Sequence, residues 1–229
     1  MAIPSDKTLL VTGANGFIAQ HIIKQALDRG YNIQATVRSV EVADKVHRIF
    51  SDYSFQFSAV IISDLSKKEL YEPGFANNPH PITGVIHVAR PFKVAVADVA
   101  ADILDPALGG AIGALKATRQ YGSSVRRFVL TSCFVAMLDL GKRLRPGYTY
   151  KEKDWNPMTR EEAIQMGGAA AYCASKALTE RTVWNWMEAE KPPLFAGLYQ
   201  FAVDIRASSH AHCRLDNSQH VICDAVADD

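Results

Sequence analysis

The chain has 229 residues, room for one sizeable α/β domain and too few for two full ones. Hydrophobic residues make up 48% and charged residues 21%, as in an ordinary globular protein, and no apolar run reaches membrane-spanning length. A formal net charge of +1 leaves no electrostatic footprint of a nucleic-acid or anionic-membrane partner.

Residues 1–8 carry no signal-peptide pattern, which predicts a cytoplasmic protein. Cys133 and Cys173 lie far apart, and Cys213 and Cys223 fall close together in the tail; free thiols are expected rather than a disulfide framework.

Along the chain, short apolar runs alternate with helical stretches. Residues 7–12 (KTLLVT) read as a strand, 16–29 as a helix and 32–37 (NIQATV) as a second strand. A helix over 40–50 and a strand over 55–63 (FQFSAVIIS) follow. Residues 84–89 (GVIHVA) and 127–131 (RFVLT) supply two more strands, separated by a helical stretch over 98–121. Most of these strands are near-continuous apolar runs, the pattern of strands buried on both faces of a parallel sheet. The βαβαβ series predicts a doubly wound α/β fold of Rossmann type, with ligands at the carboxyl ends of the strands. Residues 138–162 are polar and proline-bearing and read as a surface excursion, and 163–190 as one long helix. These patterns divide the chain into a nucleotide-binding domain over 1–193 and an atypical tail over 194–229, in which 194–203 offers one further strand.

The sharpest motif is Thr12-Gly13-Ala14-Asn15-Gly16-Phe17-Ile18-Ala19, which leaves the first strand and opens the first helix. Gly13 permits the tight turn, and Gly16 lets the backbone approach a pyrophosphate at the helix N-terminus. Ala19 is small enough for close helix–strand packing. A plain tight turn would share the glycine spacing; the strand–turn–helix context favours a dinucleotide, with Gly13, Asn15, Gly16, Phe17 and Ile18 as contacts. NAD binders carry an acid at the end of the second strand, to accept from the ribose 2′-hydroxyl. Here that strand ends Thr36-Val37-Arg38-Ser39, so Arg38 points to the 2′-phosphate of NADP(H), although a surface arginine would look the same. Asp64 and Leu65 follow the third strand and are expected to border the adenine; Asp64 also suits a helix N-cap.

TGANGFIAQHI, VIHVARPF, DPALGGAIGALKAT, VRRFVLTSC, DWNP and AYCASK occur in that order. Over residues 7–191 the chain thereby resembles the extended short-chain dehydrogenase/reductase family, and within it the fungal NADPH-dependent aldehyde/ketone reductases and dihydroflavonol-reductase-like enzymes. The resemblance implies NADPH as hydride donor, a tyrosine and lysine four residues apart as catalytic groups (Tyr172 and Lys176), and cofactor contacts from Val88, Ala89, Arg90 and Lys176. The i, i+4 spacing puts Tyr172 and Lys176 on one helix face. There a lysine ammonium lowers a phenol pKa from its ordinary value near ~10 toward the working range.

Three departures stand out. The family's strand-end serine is Cys133 here, in Thr131-Ser132-Cys133. A thiol donates weakly to a carbonyl. It is alternatively a nucleophile or base if ionised beside Lys176, or simply a small buried hydrophobe. Ser132 is a poor substitute, because adjacent strand residues face opposite ways. Arg90 stands where the family usually has a small hydroxyl residue; it either binds phosphate or an acidic substrate, or points into solvent. The tail lacks the family's C-terminal substrate domain, so a shortened chain with an open pocket, self-associating through exposed apolar surface, is an expectation. Its His210, His212, Cys213, His220 and Cys223 match no zinc-finger spacing, and no metal is expected.

The expected function is NADP(H)-dependent reduction of the carbonyl of a small-molecule substrate. Two alternatives remain open: a redox-neutral dehydratase, isomerase or cyclase on the same scaffold, and a non-catalytic dinucleotide-binding protein.

Overall fold

The computed structural model describes residues 6–90, 96–142, 145, 147–151 and 153–192, together with the backbone of 198–201, 212–215 and 221–224. The amino-terminal half runs β1 (Thr8–Thr12), α1 (Phe17–Asp28), β2 (Asn32–Val37), α2 (Val40–Ile49), β3 (Phe57–Ile61), α3 (Glu72–Ala76) and β4 (Ile82–His87). There follow α4 (Asp105–Tyr121), β5 (Arg127–Thr131), α5 (Arg160–Met166), α6 (Gly168–Glu190) and β6 (Leu198–Phe201). β1 to β6 form one sheet in the order β3-β2-β1-β4-β5-β6. All its pairings are parallel, as the apolar strands predict. β7 (His212–Leu215) and β8 (Val221–Asp224) make a separate antiparallel pair in the tail.

Neighbouring strand residues enter opposite cores. Leu10, Val85, Phe128 and Leu130 pack with Ala111, Ala114 and Leu115 of α4 and Val183 of α6. On the other face Val11, Ile33, Ala35 and Val37 meet Ile23 and Leu27 of α1 and Val46 of α2. This two-sided burial is the main source of cohesion. Small residues set the helix spacing: Ala171, Ala174 and Ala177 are buried on α6, and Gly110, Ala111, Gly113 and Ala114 on α4. At Gly113 an added Cβ would sit 2.2 Å from the Leu65 carbonyl oxygen, so α4 and the loop after β3 touch backbone to backbone.

β4 begins two residues ahead of the strand expected over 84–89, and the β7–β8 pair was not expected; two further regions also differ from the sequence pattern. The helix expected over 163–190 is broken at Gly167 and Gly168, which hold φ of 63° and 49°, so α5 and α6 are separate. α5 opens instead on a capping box, with Thr159 Oγ1 accepting from the Glu162 amide at 3.2 Å and the Glu162 carboxylate accepting from the Thr159 amide at 2.8 Å. The excursion over 138–162 is also less superficial than its polarity suggests. Asn156 is buried; its amide donates to the Ala136 carbonyl at 2.7 Å, and its own carbonyl accepts from Arg181 of α6 at 3.1 Å.

Candidate active site

In this strand order the chain reverses direction between β1 and β4, and the crevice at their carboxyl ends is where an open α/β sheet receives ligands. Gly13 turns out of β1 with φ 71°, and an added Cβ would lie 2.8 Å from Ala89. Only glycine allows this approach. Thr12 ties the two lips of the crevice together. Its Oγ1 accepts from the amides of Val88 at 3.1 Å and Ala89 at 3.0 Å, which leaves its proton for His87 Nδ1 at 3.1 Å. His87 is therefore the Nε2–H tautomer, and burial, with Lys176 nearby, pushes its pKa down to about 4.

The turn fits a phosphate. Asn15, Gly16, Phe17 and Ile18 are exposed, and α1 begins with no side-chain cap and no acid in its first turn. Its leading amides and the positive end of the helix dipole face an open crevice. Arg38 is exposed directly after β2 and, among the described residues, pairs with no carboxylate. Asp64 is occupied locally: Oδ1 accepts from the Ser66 amide at 2.9 Å and the Ser66 hydroxyl at 2.7 Å, which holds its carboxyl below the usual range. It closes a turn ahead of the 3₁₀ segment Lys68–Tyr71 rather than capping a helix. Leu65 is half-buried against the core and α4.

One strand further on, His87, Arg90, Thr131, Lys176 and Thr179 line a small open cleft between β4, β5 and α6. Tyr172, Lys176 and Glu180 follow one another at i, i+4, i+8 along α6. Burial raises the Tyr172 phenol, and the cation opposing it is Arg90, whose Cζ stands 4.4 Å from the ring centre. Arg90, which the sequence reading did not place at the phenol, thus stands beside Tyr172 together with the Lys176 that it did. Burial, and then Arg90, push Lys176 down to about 8. Arg90 does not point into solvent: its guanidinium donates to Ser175 Oγ and is held down in pKa mainly by burial. Cys133 is half-buried and interacts electrostatically with Arg90, Tyr172 and Lys176, so it belongs to the same cluster. Ser132 also lines this cleft, and its hydroxyl is committed to Glu180 Oε2 at 2.6 Å. Burial pushes Cys173 up to about 11, which makes it an inert thiol.

Sequence reasoning missed Thr12, His87, Ser175, Thr179 and Glu180. Glu180 alone had a readable signal, one further helical step beyond Lys176. Among the described residues no group of three or more His, Cys, Asp or Glu is arranged to hold a metal, and no helix is long and apolar enough to cross a membrane. The side chains of the tail's histidines and cysteines lie outside the described residues.

A Rossmann-type sheet, a glycine turn at the strand-order reversal and a Tyr-Lys helix beside it define a dinucleotide-dependent enzyme scaffold. Residues 9–199 match the NAD dependent epimerase/dehydratase family, and the chain belongs to that family. It is 33% identical over 223 residues to the NADPH-dependent methylglyoxal reductase GRE2 of Saccharomyces cerevisiae, covering 92% of this chain and 65% of that protein. To aldehyde reductase 2 of Sporidiobolus salmonicolor it is 32% identical over 197 residues, covering 83% and 55% respectively. The crystal structure of yeast methylglyoxal/isovaleraldehyde reductase Gre2 complexed with NADPH superposes with a TM-score of 0.78 at 34% identity, over 84% of this chain and 56% of that one. The chain thus spans between about half and two-thirds of the length of these relatives.

Proposed function

We propose that this chain binds NADP(H) and reduces the carbonyl of a small organic molecule. The observation that carries the reading is the meeting of Tyr172, Lys176, Arg90 and Cys133 at the carboxyl ends of β4 and β5, one strand from the Gly13 turn. The named activities of its relatives, NADPH-dependent methylglyoxal and aldehyde reduction, support it. Arg38, with no acid at the end of β2, supports the phosphorylated cofactor.

When bound, NADPH supplies a hydride to the carbonyl carbon. Tyr172 donates a hydrogen bond to the carbonyl oxygen and passes its proton across as that oxygen gains charge, leaving an alcohol and a phenolate. Arg90, stacked on the ring, stabilises the phenolate. Lys176 keeps its proton at neutral pH, because its pKa stays near 8, and would hold the nicotinamide ribose of the bound cofactor. Cys133 offers the carbonyl only a weak S–H donor. Val88, Ala89 and Arg90 wall the crevice between the two halves of the site.

The test has two parts. Calorimetric titration should give micromolar NADPH binding that is weakened at least about tenfold in Arg38→Gln, since a charged hydrogen bond is lost. NADPH consumption with a panel of aldehydes and ketones should then be observed, and should fall by about a hundredfold or more in Tyr172→Phe. Binding without turnover of any carbonyl would sink the reductase reading.

A further inference from the structure

We infer that Arg90 is an anion receptor built into the substrate cleft, and that the preferred carbonyl substrates carry a carboxylate, as 2-oxo acids do. The inference rests on the reductase reading and adds the class of substrate.

Arg90 is a cation whose needs are only partly met. Among the described residues its guanidinium donates to Ser175 Oγ and lays one face on the Tyr172 ring. Nη1 is buried with no hydrogen-bond partner. A guanidinium offers five N–H donors in a fork suited to two carboxylate oxygens, so most of its capacity is unspent. Its electrostatic neighbours Tyr172, Cys133 and Cys173 are neutral in their ordinary protonation states, and none supplies a counter-charge.

Among the described residues the carboxylate in this neighbourhood is Glu180. It is engaged by Ser132 and acts on Lys176 rather than on Arg90. Among the described residues the cleft is thus lined by two half-buried cations, Arg90 and Lys176, with Glu180 as the neighbouring carboxylate. A partly desolvated cation left unpaired is costly to keep, and an anion arriving with a ligand would relieve that cost.

A second group points the same way. Thr179 Oγ1 is buried without a partner and lines the same cleft as Arg90 and Lys176. Two polar side chains thus wait on a ligand that accepts hydrogen bonds.

Location separates a substrate carboxylate from a cofactor phosphate. The phosphate-binding turn belongs to β1, whereas the Arg90 guanidinium lies against the ring of Tyr172, where the carbonyl is reduced. An anion bound there is attached to the same small molecule as the reacting carbonyl.

The experiment compares 2-oxo acids of three to six carbons with their methyl esters, on the wild-type chain and Arg90→Gln. Two readouts are taken: kcat/KM with NADPH, and calorimetric binding of acid and ester to the NADP⁺-saturated protein. The wild type should prefer acid over ester by about tenfold to a hundredfold in both, the worth of a charge-assisted pair over a neutral contact. In Arg90→Gln the ratio should collapse toward one; a ratio cancels any general effect of the substitution on the chemistry. Equal handling of acid and ester by the wild type would overturn the inference. So would an Arg90→Gln variant that loses NADPH affinity but keeps the acid preference, since Arg90 would then be gripping a cofactor phosphate. Acid-selective binding without turnover of either series would keep the anion receptor and remove the reductase reading instead.

Discussion

Gly113 carries the sharpest stability prediction. Replacing it with alanine in a helix would ordinarily stabilise by up to ~1 kcal/mol, through lower backbone entropy in the unfolded chain. At this position the new Cβ would stand 2.2 Å from the Leu65 carbonyl oxygen and 2.8 Å from the Ser66 backbone, inside the 3.0 Å that real Cβ atoms keep. Both obstacles are main chain, so no rotamer change relieves them. Overpacking costs about 1–3 kcal/mol, and a rigid obstacle belongs at the top of that range. Net destabilisation should therefore be about 2 kcal/mol, or roughly 4–8 °C in Tm for a chain of this size. Gly110 is the internal control: it is buried on the same helix, but its Cβ would meet only the Leu65 Cβ at 3.5 Å, an ordinary contact. Gly110→Ala should keep the helix gain and melt at or slightly above the wild type. Thermal unfolding of both variants, followed by circular dichroism, measures the difference. The Gly113→Ala variant should also bind NADPH more weakly, because Asp64 and Leu65 shift with the loop. If Gly113→Ala melts as high as Gly110→Ala, the backbone contact between α4 and the β3 loop does not constrain the packing of α4.

Thr12→Val strands two amides and His87 Nδ1 in a buried site and should cost about 3 kcal/mol in urea unfolding, at roughly 1–3 kcal/mol per unmet group; a loss below about 1 would rule out the clasp. Cys133→Ser installs a full-strength donor and should raise kcat on aldehydes about tenfold, whereas an unchanged kcat would mean position 133 does not touch the carbonyl. Lys176 has its folded pKa depressed from 10.5 to about 8, so the cofactor-free protein bears a stability penalty below pH 8 that is relieved as pH climbs toward 10.5. Lys176→Met should accordingly be inactive yet more stable at pH 7, by about 1–3 kcal/mol, with the gain shrinking by pH 10 in parallel melts. The wild-type kcat/KM should decline above about pH 8 as Lys176 loses its proton.

Much of this molecule was legible in the sequence because its signals are local. The apolar runs marked β1, β2 and β5 to within a residue, and the Gly13 turn and the Tyr172–Lys176 pair depend only on short spacings. The break at Gly167-Gly168 was missed because helical periodicity continues on both sides of it, and periodicity does not register two positive φ angles. What stayed hidden joins distant residues: Ser132 to Glu180 across 48 positions, Thr12 to His87 across 75, and Arg90 to Ser175 across 85. The composition of 87–92 offered two directions for Arg90, and only the packing of α6 beside β4 turns it inward.

The Thr12 hydroxyl has a consequence for how the crevice recognises anything. By taking the N–H groups of Val88 and Ala89, it withdraws the β4 lip from donor duty, leaving that lip as a smooth spacer. On the proposed function, recognition of phosphate would then fall to the main chain of the β1 lip at Phe17 and Ile18, whose own side chains are exposed. Side-chain identity at those two positions is thus free to drift while the chemistry they offer stays constant. Width is governed from one side of the crevice and affinity from the other.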